Sequence, residues 1–513
     1  MPVPIDQIMK RYERATANKE QWRSIYEECY EFALPQRNLY SHYDGRSPGT
    51  NKMDRVFDST AISSTQRFAN RLQSSIFPPY RNWCRLVAGD DIPEDKRDEV
   101  QVALDYYNEK MFAVLRRSNF DLAMSEFLLD LAVGTSIMKV TAGDEMTPVR
   151  FEAVPQFLCA LEGGANGKVD NVYRRHRMKI EVVPQQWPDA VLPDRLKQML
   201  EDKPHEEVEL LEATIYMPAD DYYCYHVIWP DQKEELVYRE LETSPWIVSR
   251  YMVAAGEVMG RGVLCTALSD IKTLNATKRM LLQNASINIA GMYTAADDGV
   301  LNPANINIEP GAIIPVARNG GPSGPSLLPV PRAGDVNLTQ LVINDLTVSI
   351  KRILLDDTLP PDTMSARSAT EIGARMQELA SNMGAAFGRM MTECMLPLVS
   401  RILKVMDQEN LIDMPMRIDG QAVKIVPISP LAKAQNAEET ESILQFAQIA
   451  QQLGPMGAMA LDQERTLAFI ADRLGVPARV LTTADERAEM MARMEEVAQA
   501  AAAEPESAMA AAE

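Results

Sequence analysis

Four histidines, His42, His176, His205 and His226, stand in unrelated contexts along 513 residues, leaving little material for a metal or general-base site. Neither an HExxH pair nor a Cys/His cluster occurs. The six cysteines, Cys29, Cys84, Cys159, Cys224, Cys265 and Cys394, are equally scattered. With no close pair they exclude a zinc knuckle or a local clip, and they read as small apolar residues in a reducing compartment. No run approaches the roughly 18 apolar residues of a membrane span. The start, "MPVPIDQIMKRYERATANKEQW", has no apolar signal core, so the expectation is a soluble chain made without export. Positive charge is also in deficit: 52 Lys and Arg against 72 Asp and Glu give a formal charge of −20. Such a chain is poorly suited to gripping nucleic acid by neutralising phosphates, although DNA could slide past it.

What is present is ample apolar material, 46% of residues, over a length that fits about three domain-sized units. Helical spacing runs from Ile5 to Phe32 and stops before Pro35. "VFDSTAISSTQRFANRLQSSIFPP" and the hairpin-like stretch from "KRDEVQVALDYY" to "LLDLAVGT" extend the pattern, so the first third is mostly helix. From about Ser136 to Ser249 short runs of β-branched and aromatic residues, several separated by turn residues, predict antiparallel strands in an α+β segment. A long helix follows over residues 262–291, with Leu264, Leu268, Ile271, Leu274, Leu281, Leu282, Ala285 and Ile289 on one stripe. After a Gly- and Pro-punctuated insert, helix resumes over 336–355. Beyond "DDTLPPDTMSAR" a longer helix opens on a capping box, Ser368 and Glu371, with a kink expected at Pro397.

The chemical motifs are weak. "GGANGKV" at 163–169 lacks the first glycine and the Ser or Thr of a phosphate loop, and turn chemistry makes it a hairpin. "YRRHRM" at 173–178 is the densest basic run. It reads as a strand with a solvated face, or one pairing with an acidic neighbouring subunit, ahead of a nucleic-acid patch. Asp297/Asp298 and Asp356/Asp357 adjoin turns and helix ends, where Asp is common without any ion. Met376, Met383, Met390, Met391 and Met395 read as adaptable core or subunit contacts. No catalytic set, cofactor site or metal site emerges.

Four stretches in order carry a resemblance: "VFDSTAISSTQRFANRLQSSIFPPYRNWCRL", "SNFDLAMSEFLLDLAVGTSIMKV", "SPWIVSRYMVAAGEVMGRGVLCTALSDIKTLN" and "SARSATEIGARMQELASNMGAAFGRMMTECMLPLVSRIL". From near residue 5 to about 430 the chain resembles the portal protein, or head-to-tail connector, of T7-like short-tailed bacteriophages. The resemblance implies a mainly α portal fold with an α+β wing, assembled as a ring, usually of twelve subunits, around a central channel at one capsid vertex.

It further implies a wing over 1–261, stem helices over 262–291 and 336–355, a clip over 292–335, and a tunnel loop over 356–367. A long kinked wing helix with following strands would occupy 368–436, and a crown with a low-complexity tail 437–513. Double-stranded DNA would be packaged and ejected through the channel without sequence specificity. The implied partners are the terminase large subunit, major capsid and scaffolding proteins and tail adaptors, with assembly in the host cytoplasm, residence in the virion and no membrane. Tunnel-loop candidates are Asp356, Asp357, Pro360, Pro361, Asp362 and Arg367. Candidate stem contacts to DNA or a neighbouring subunit are Arg261, Lys272, Lys278 and Arg279. Clip candidates are Gly320, Gly321, Pro322, Pro325, Pro329 and Pro331. Rival readings are a non-channel scaffold or tail protein and a DNA-processing enzyme with an unrecognised site.

Overall fold

The computed structural model describes residues 3–40, 52–89, 92–165, 167–290, 293–295, 327–329, 336–356, 383–413 and 423–432, with scattered helical positions between 442 and 493. Contacts divide the chain into two compact units. One holds residues 1–20, 69–260 and 361–513; the other holds 21–68 and 261–360.

The first unit begins with α1 (Ile5–Glu20) and, after the later half of α3 (Thr60–Ile76), contains β1 (Cys84–Ala88), α4 (Glu94–Arg117) and α5 (Phe120–Val133). The predicted antiparallel strands follow. β2 (Thr135–Ala142) pairs with both β3 (Val149–Val154) and β9 (Trp246–Arg250) to form a three-stranded sheet. A five-stranded antiparallel meander takes β4 (Cys159–Gly163), β5 (Val169–Lys179), β6 (Glu207–Met217), β7 (Tyr222–Trp229) and β8 (Glu234–Leu241) in order. The "GGANGKV" stretch is the β4–β5 hairpin turn, where Gly167 at φ +71° occupies a conformation that disfavours a side chain.

The segment between β5 and β6 is helical where no helix was read: α6 (Val183–Gln186) and α7 (Asp194–Asp202). These helices explain why β6 is buried on both faces instead of alternating. Leu211, Ala213 and Ile215 pack with Ile8 and Ala15 of α1 on one face. Val208 and Leu210 pack with Val183, Trp187 and Leu196 on the other.

Further along, the helix entering at Met383 widens into a π turn, Met391–Met395, before α10 (Leu396–Gln408). Pro397 lies in the first turn of α10. Where a kink was expected, the residues before this proline form a π turn, which accommodates the missing N–H. Met383, Met390 and Met395 are buried, as the core reading expects. The capping box at Ser368 and Glu371 lies outside the described residues. β12 (Val423–Pro427) pairs antiparallel with β1.

The second unit contains α2 (Arg23–Ala33), the start of α3, α8 (Val263–Ala290) and α9 (Val336–Ile353). β10 (Tyr293–Ala295) and β11 (Leu327–Pro329) form a short antiparallel ladder between the two long helices. Leu264, Ala267, Ile271 and Leu274 are buried along the first half of α8, with Ile343, Ile350 and Leu354 in and just after α9.

Candidate functional site: the α8–α9 helix pair

α8 and α9 run antiparallel. Ser349 Oγ, near the end of α9, donates to Asp270 Oδ2, near the start of α8, at 2.9 Å. Among the described residues, the apolar stripe read for α8 is fully buried only along its first half. Leu264, Ile271 and Leu274 are buried, whereas Leu282 is more than half exposed, as is its neighbour Met280. α9 likewise turns Ile343 and Ile350 inward and leaves Leu338, Leu341, Val342 and Val348 outside, with Leu341 at 67% exposure. The exposed aliphatic side chains of α9 follow helical spacing and lie along one apolar strip.

Arg261, Lys272, Lys278 and Arg279, the four cations singled out from the sequence, all meet partners within the unit. The Arg261 guanidinium lies 4.8 Å from the Trp22 ring centroid, and Arg279 lies 5.6 Å from that of Phe57. Lys272 Nζ contacts Glu28 Oε1 at 2.9 Å, and Lys278 pairs with Asp58. Asn275, between them, was not singled out from sequence, yet it holds the most connected position. Its Oδ1 accepts the N–H groups of Phe57 (2.6 Å) and Asp58 (3.2 Å), and its Nδ2 donates to Arg55 O at 2.9 Å. Asp58 Oδ1 in turn accepts the Thr60 N–H at 2.8 Å, capping the start of α3. Residues 55–60 are therefore tied to α8 by main-chain hydrogen bonds that only a buried amide at 275 supplies.

α9 ends in a Schellman-type turn. Asp356 N–H reaches Lys351 O at 2.7 Å and Leu355 N–H reaches Arg352 O at 3.1 Å, with Leu355 at φ +56° where glycine is usual. The Asp356 carboxylate then accepts Ser64 Oγ at 2.8 Å and Arg67 Nη1 at 3.2 Å, and its side chain is 1% exposed. Of the tunnel-loop candidates, Asp356 is thus a buried anchor on α3 that adds no free negative charge. Asp357, Pro360, Pro361, Asp362 and Arg367 lie outside the described residues, as do Asp297 and Asp298. Among the clip candidates Pro329 is in β11; Gly320, Gly321, Pro322, Pro325 and Pro331 lie outside the described residues.

A second concentration of charge lies in the first unit, on the inner face of the five-stranded sheet. Strand alternation divides "YRRHRM": Arg175 and Arg177 point outward, while Arg174 and His176 are buried. The acidic partners of this run are in the same chain. Arg175 pairs with Glu209 at 2.8 Å, and Arg174 with Glu152 at 3.0 Å and Glu212 at 3.6 Å. Lys139 of β2 pairs with Glu212, and its ammonium sits 5.4–5.6 Å from the rings of Trp246, Tyr225 and Trp187. Tyr225 Oη donates to Glu212 Oε2 at 2.6 Å and accepts from Trp187 Nε1 at 3.1 Å. Burial alone would raise the Glu212 carboxyl pKa. The charges of Lys139, Arg174 and His176 overcome it and bring the value to about 2. Burial, reinforced by Arg174 and Lys139, brings His176 down to about 4. With Glu212 fully enclosed, this network joins the two sheets.

Among the described residues no group of three His, Cys, Asp or Glu could hold a metal ion, and no helix is long and apolar enough to cross a membrane. The family model described as "Bacteriophage head to tail connecting protein" matches residues 5–481, and the chain belongs to that family. It is a connector component of a phage-type particle.

Among solved structures the chain is similar to one from the virion of a native gene transfer agent particle, with 11% identity, 82% of this chain and 92% of that one covered, and a TM-score of 0.34. Chains from the neck of an empty particle in C6 symmetry (11%, 82% and 92%, TM-score 0.35) and of a native particle in C12 symmetry (11%, 82% and 91%, TM-score 0.36) are similar to the same degree. At these scores the likenesses add nothing to the family assignment. No curated protein matches the chain.

Proposed function

We propose that this connector is the portal subunit of a T7-like short-tailed phage. In this reading copies of the chain, twelve by the resemblance, close into a ring at one capsid vertex. Double-stranded DNA enters and leaves through the central channel. The terminase large subunit docks during packaging and tail adaptors afterwards, while capsid and scaffolding proteins surround the ring. The protein itself performs no catalysis.

The observation that carries the proposal is the exposed aliphatic row Leu341, Val342 and Val348 on α9, with Met280 and Leu282 also exposed on α8. Burying such strips against the stems of neighbouring copies removes apolar area from water, at about 25 cal/mol per Å². The acidic balance of −20, multiplied around a ring, would keep phosphates from binding tightly to the wall. The four stem cations, engaged by residues 22–58, would mainly brace the stem within each subunit, with DNA or neighbour contact secondary.

The test is removal of residues 358–365 and, separately, of 320–331 in a phage carrying this chain. The first deletion should allow ring assembly yet impair packaging or genome retention, and the second should weaken ring closure or docking of the motor and tail. Full particles with normal tails from both mutants would contradict the reading. ATPase or nuclease turnover abolished by a point substitution in this chain would contradict its non-catalytic part.

A further inference from the structure

Two of the six dispersed cysteines meet in space. Cys29 of α2 and Cys265 of α8 are 236 residues apart in sequence, and their Sγ atoms are 4.0 Å apart. Neither is in a disulfide. We propose that Cys29 and Cys265 form a redox site, a dithiol that low-molecular-weight disulfides oxidise to a covalent staple between α2 and the base of the stem helix.

Position makes the two thiols unequal. Cys29 is 1% exposed, whereas Cys265 is only partly buried and can be reached from solvent. Cys265 is the third residue of a 28-residue helix, where unpaired N–H groups favour a thiolate, and Arg261 lies just before that helix. The hydrogen bond shared with Cys29 is the largest influence on Cys265. It outweighs burial and, with a backbone hydrogen bond from Gly262 and the Arg261 charge, brings this thiol down to about 7. Cys29 is raised, first by the same hydrogen bond and then by burial. An accessible, acidic thiol beside a buried partner is the arrangement of an attacking and a resolving cysteine. Cys84, Cys159 and Cys394 are fully buried, and burial pushes their thiols up, so they lack this reactivity.

The exchange balances with glutathione disulfide as oxidant. The Cys265 thiolate attacks one oxidant sulfur, forming a mixed disulfide and releasing the first glutathione thiolate. Cys29 gives up its proton and attacks the Cys265 sulfur, releasing the second. The protein dithiol is oxidised by two electrons, and one glutathione disulfide becomes two glutathiones. Side-chain rotation must bring the sulfurs from 4.0 Å to a bonded separation of about 2.05 Å. The staple would fix α2 to α8 across a long chain separation, restricting the unfolded state strongly.

The test uses the full-length protein as purified, exposed to glutathione disulfide, blocked with N-ethylmaleimide in denaturant and digested without reductant. The proposal expects one linked mass joining the Cys29 and Cys265 peptides, while Cys84, Cys159, Cys224 and Cys394 carry the alkyl group. It also expects a rise in thermal midpoint that dithiothreitol reverses. Cys29→Ala should arrest the exchange with glutathione retained on Cys265, and Cys265→Ser should take up none. Wild-type peptide mapping decides the question even if a variant folds poorly. Full alkylation of Cys29 and Cys265 after oxidant treatment, or a wild-type mixed disulfide on Cys265 that never resolves, would overturn the proposal.

Discussion

Arg250 and Glu393, 143 residues apart, form a two-pronged buried ion pair: Nη2 reaches Oε1 at 2.7 Å and Nε reaches Oε2 at 3.2 Å. The Arg250 main-chain N–H also donates to Oε2 at 3.0 Å, and Nη2 donates to Gly167 O at 2.7 Å. One side chain thereby joins the end of β9, the π turn and the β4–β5 hairpin. Glu393→Ala removes one member and leaves a buried guanidinium and N–H without their acceptor. The expected loss is about 3–5 kcal/mol of first-unit stability, read from urea unfolding. A loss below about 1 kcal/mol would mean the pair is solvated in solution.

Acid should weaken the same unit in two stages. His176 titrates near 4 in the fold, below its ordinary 6.5, so the unfolded chain takes the proton first. Its contribution is complete above pH 6.5 and disappears as pH falls toward 4. Glu212, held near 2 against an ordinary 4.5, loses its contribution as pH falls from about 4.5 toward 2. Each stage corresponds to about 3 kcal/mol. Urea midpoints measured from pH 8 to 4 should fall below pH 6.5, and His176→Gln should flatten that upper stage. An unchanged upper stage in the variant would remove His176 from the account.

The root of the loop after α9 depends on Asp356. Asp356→Ala leaves Ser64 Oγ and Arg67 without their common acceptor. It should cost about 1–3 kcal/mol in the second unit, seen as a lower denaturant midpoint. Arg67→Ala should cost less, because this guanidinium is 61% exposed and screened by water. Equal effects from the two substitutions would argue against the buried carboxylate as anchor.

Much of this architecture was legible in local pattern. Leu264, Ile271 and Leu274 marked α8 by spacing, and Pro397 was read as a kink, whereas the residues before it form a π turn. α6 and α7 were missed because nine-residue and shorter helices between strands offer too little periodicity. Burial of β6 on both faces, created by α1 and α7, likewise has no local signature. The sites were harder to read, since they join distant segments. Asn275 drew no notice in the sequence, Arg174 and His176 read as part of a solvated basic run, and Asp356 read as loop charge. Cys29 and Cys265 looked unrelated. Each role depends on contacts across as many as 292 positions, which spacing rules do not reach.

The stem strip offers a direct perturbation. Leu341→Glu places a charge on an α9 position that is 67% exposed among the described residues. The subunit should keep its helical circular dichroism and its midpoint to within about 0.5 kcal/mol. Assembly should drop at least tenfold, because a neighbour would have to bury an unpaired carboxylate. Normal assembly by the variant would show that this face is free in the particle.

The central claim is that the stem closes a ring around a channel, and electron microscopy of the purified full-length protein without nucleotide or metal tests it most directly. The account predicts closed rings with a central opening wide enough for duplex DNA and the α8–α9 strip at the contact between adjacent subunits. A stable monomer at micromolar concentration, filaments, or rings whose subunits leave Leu338 and Leu341 facing solvent would contradict it.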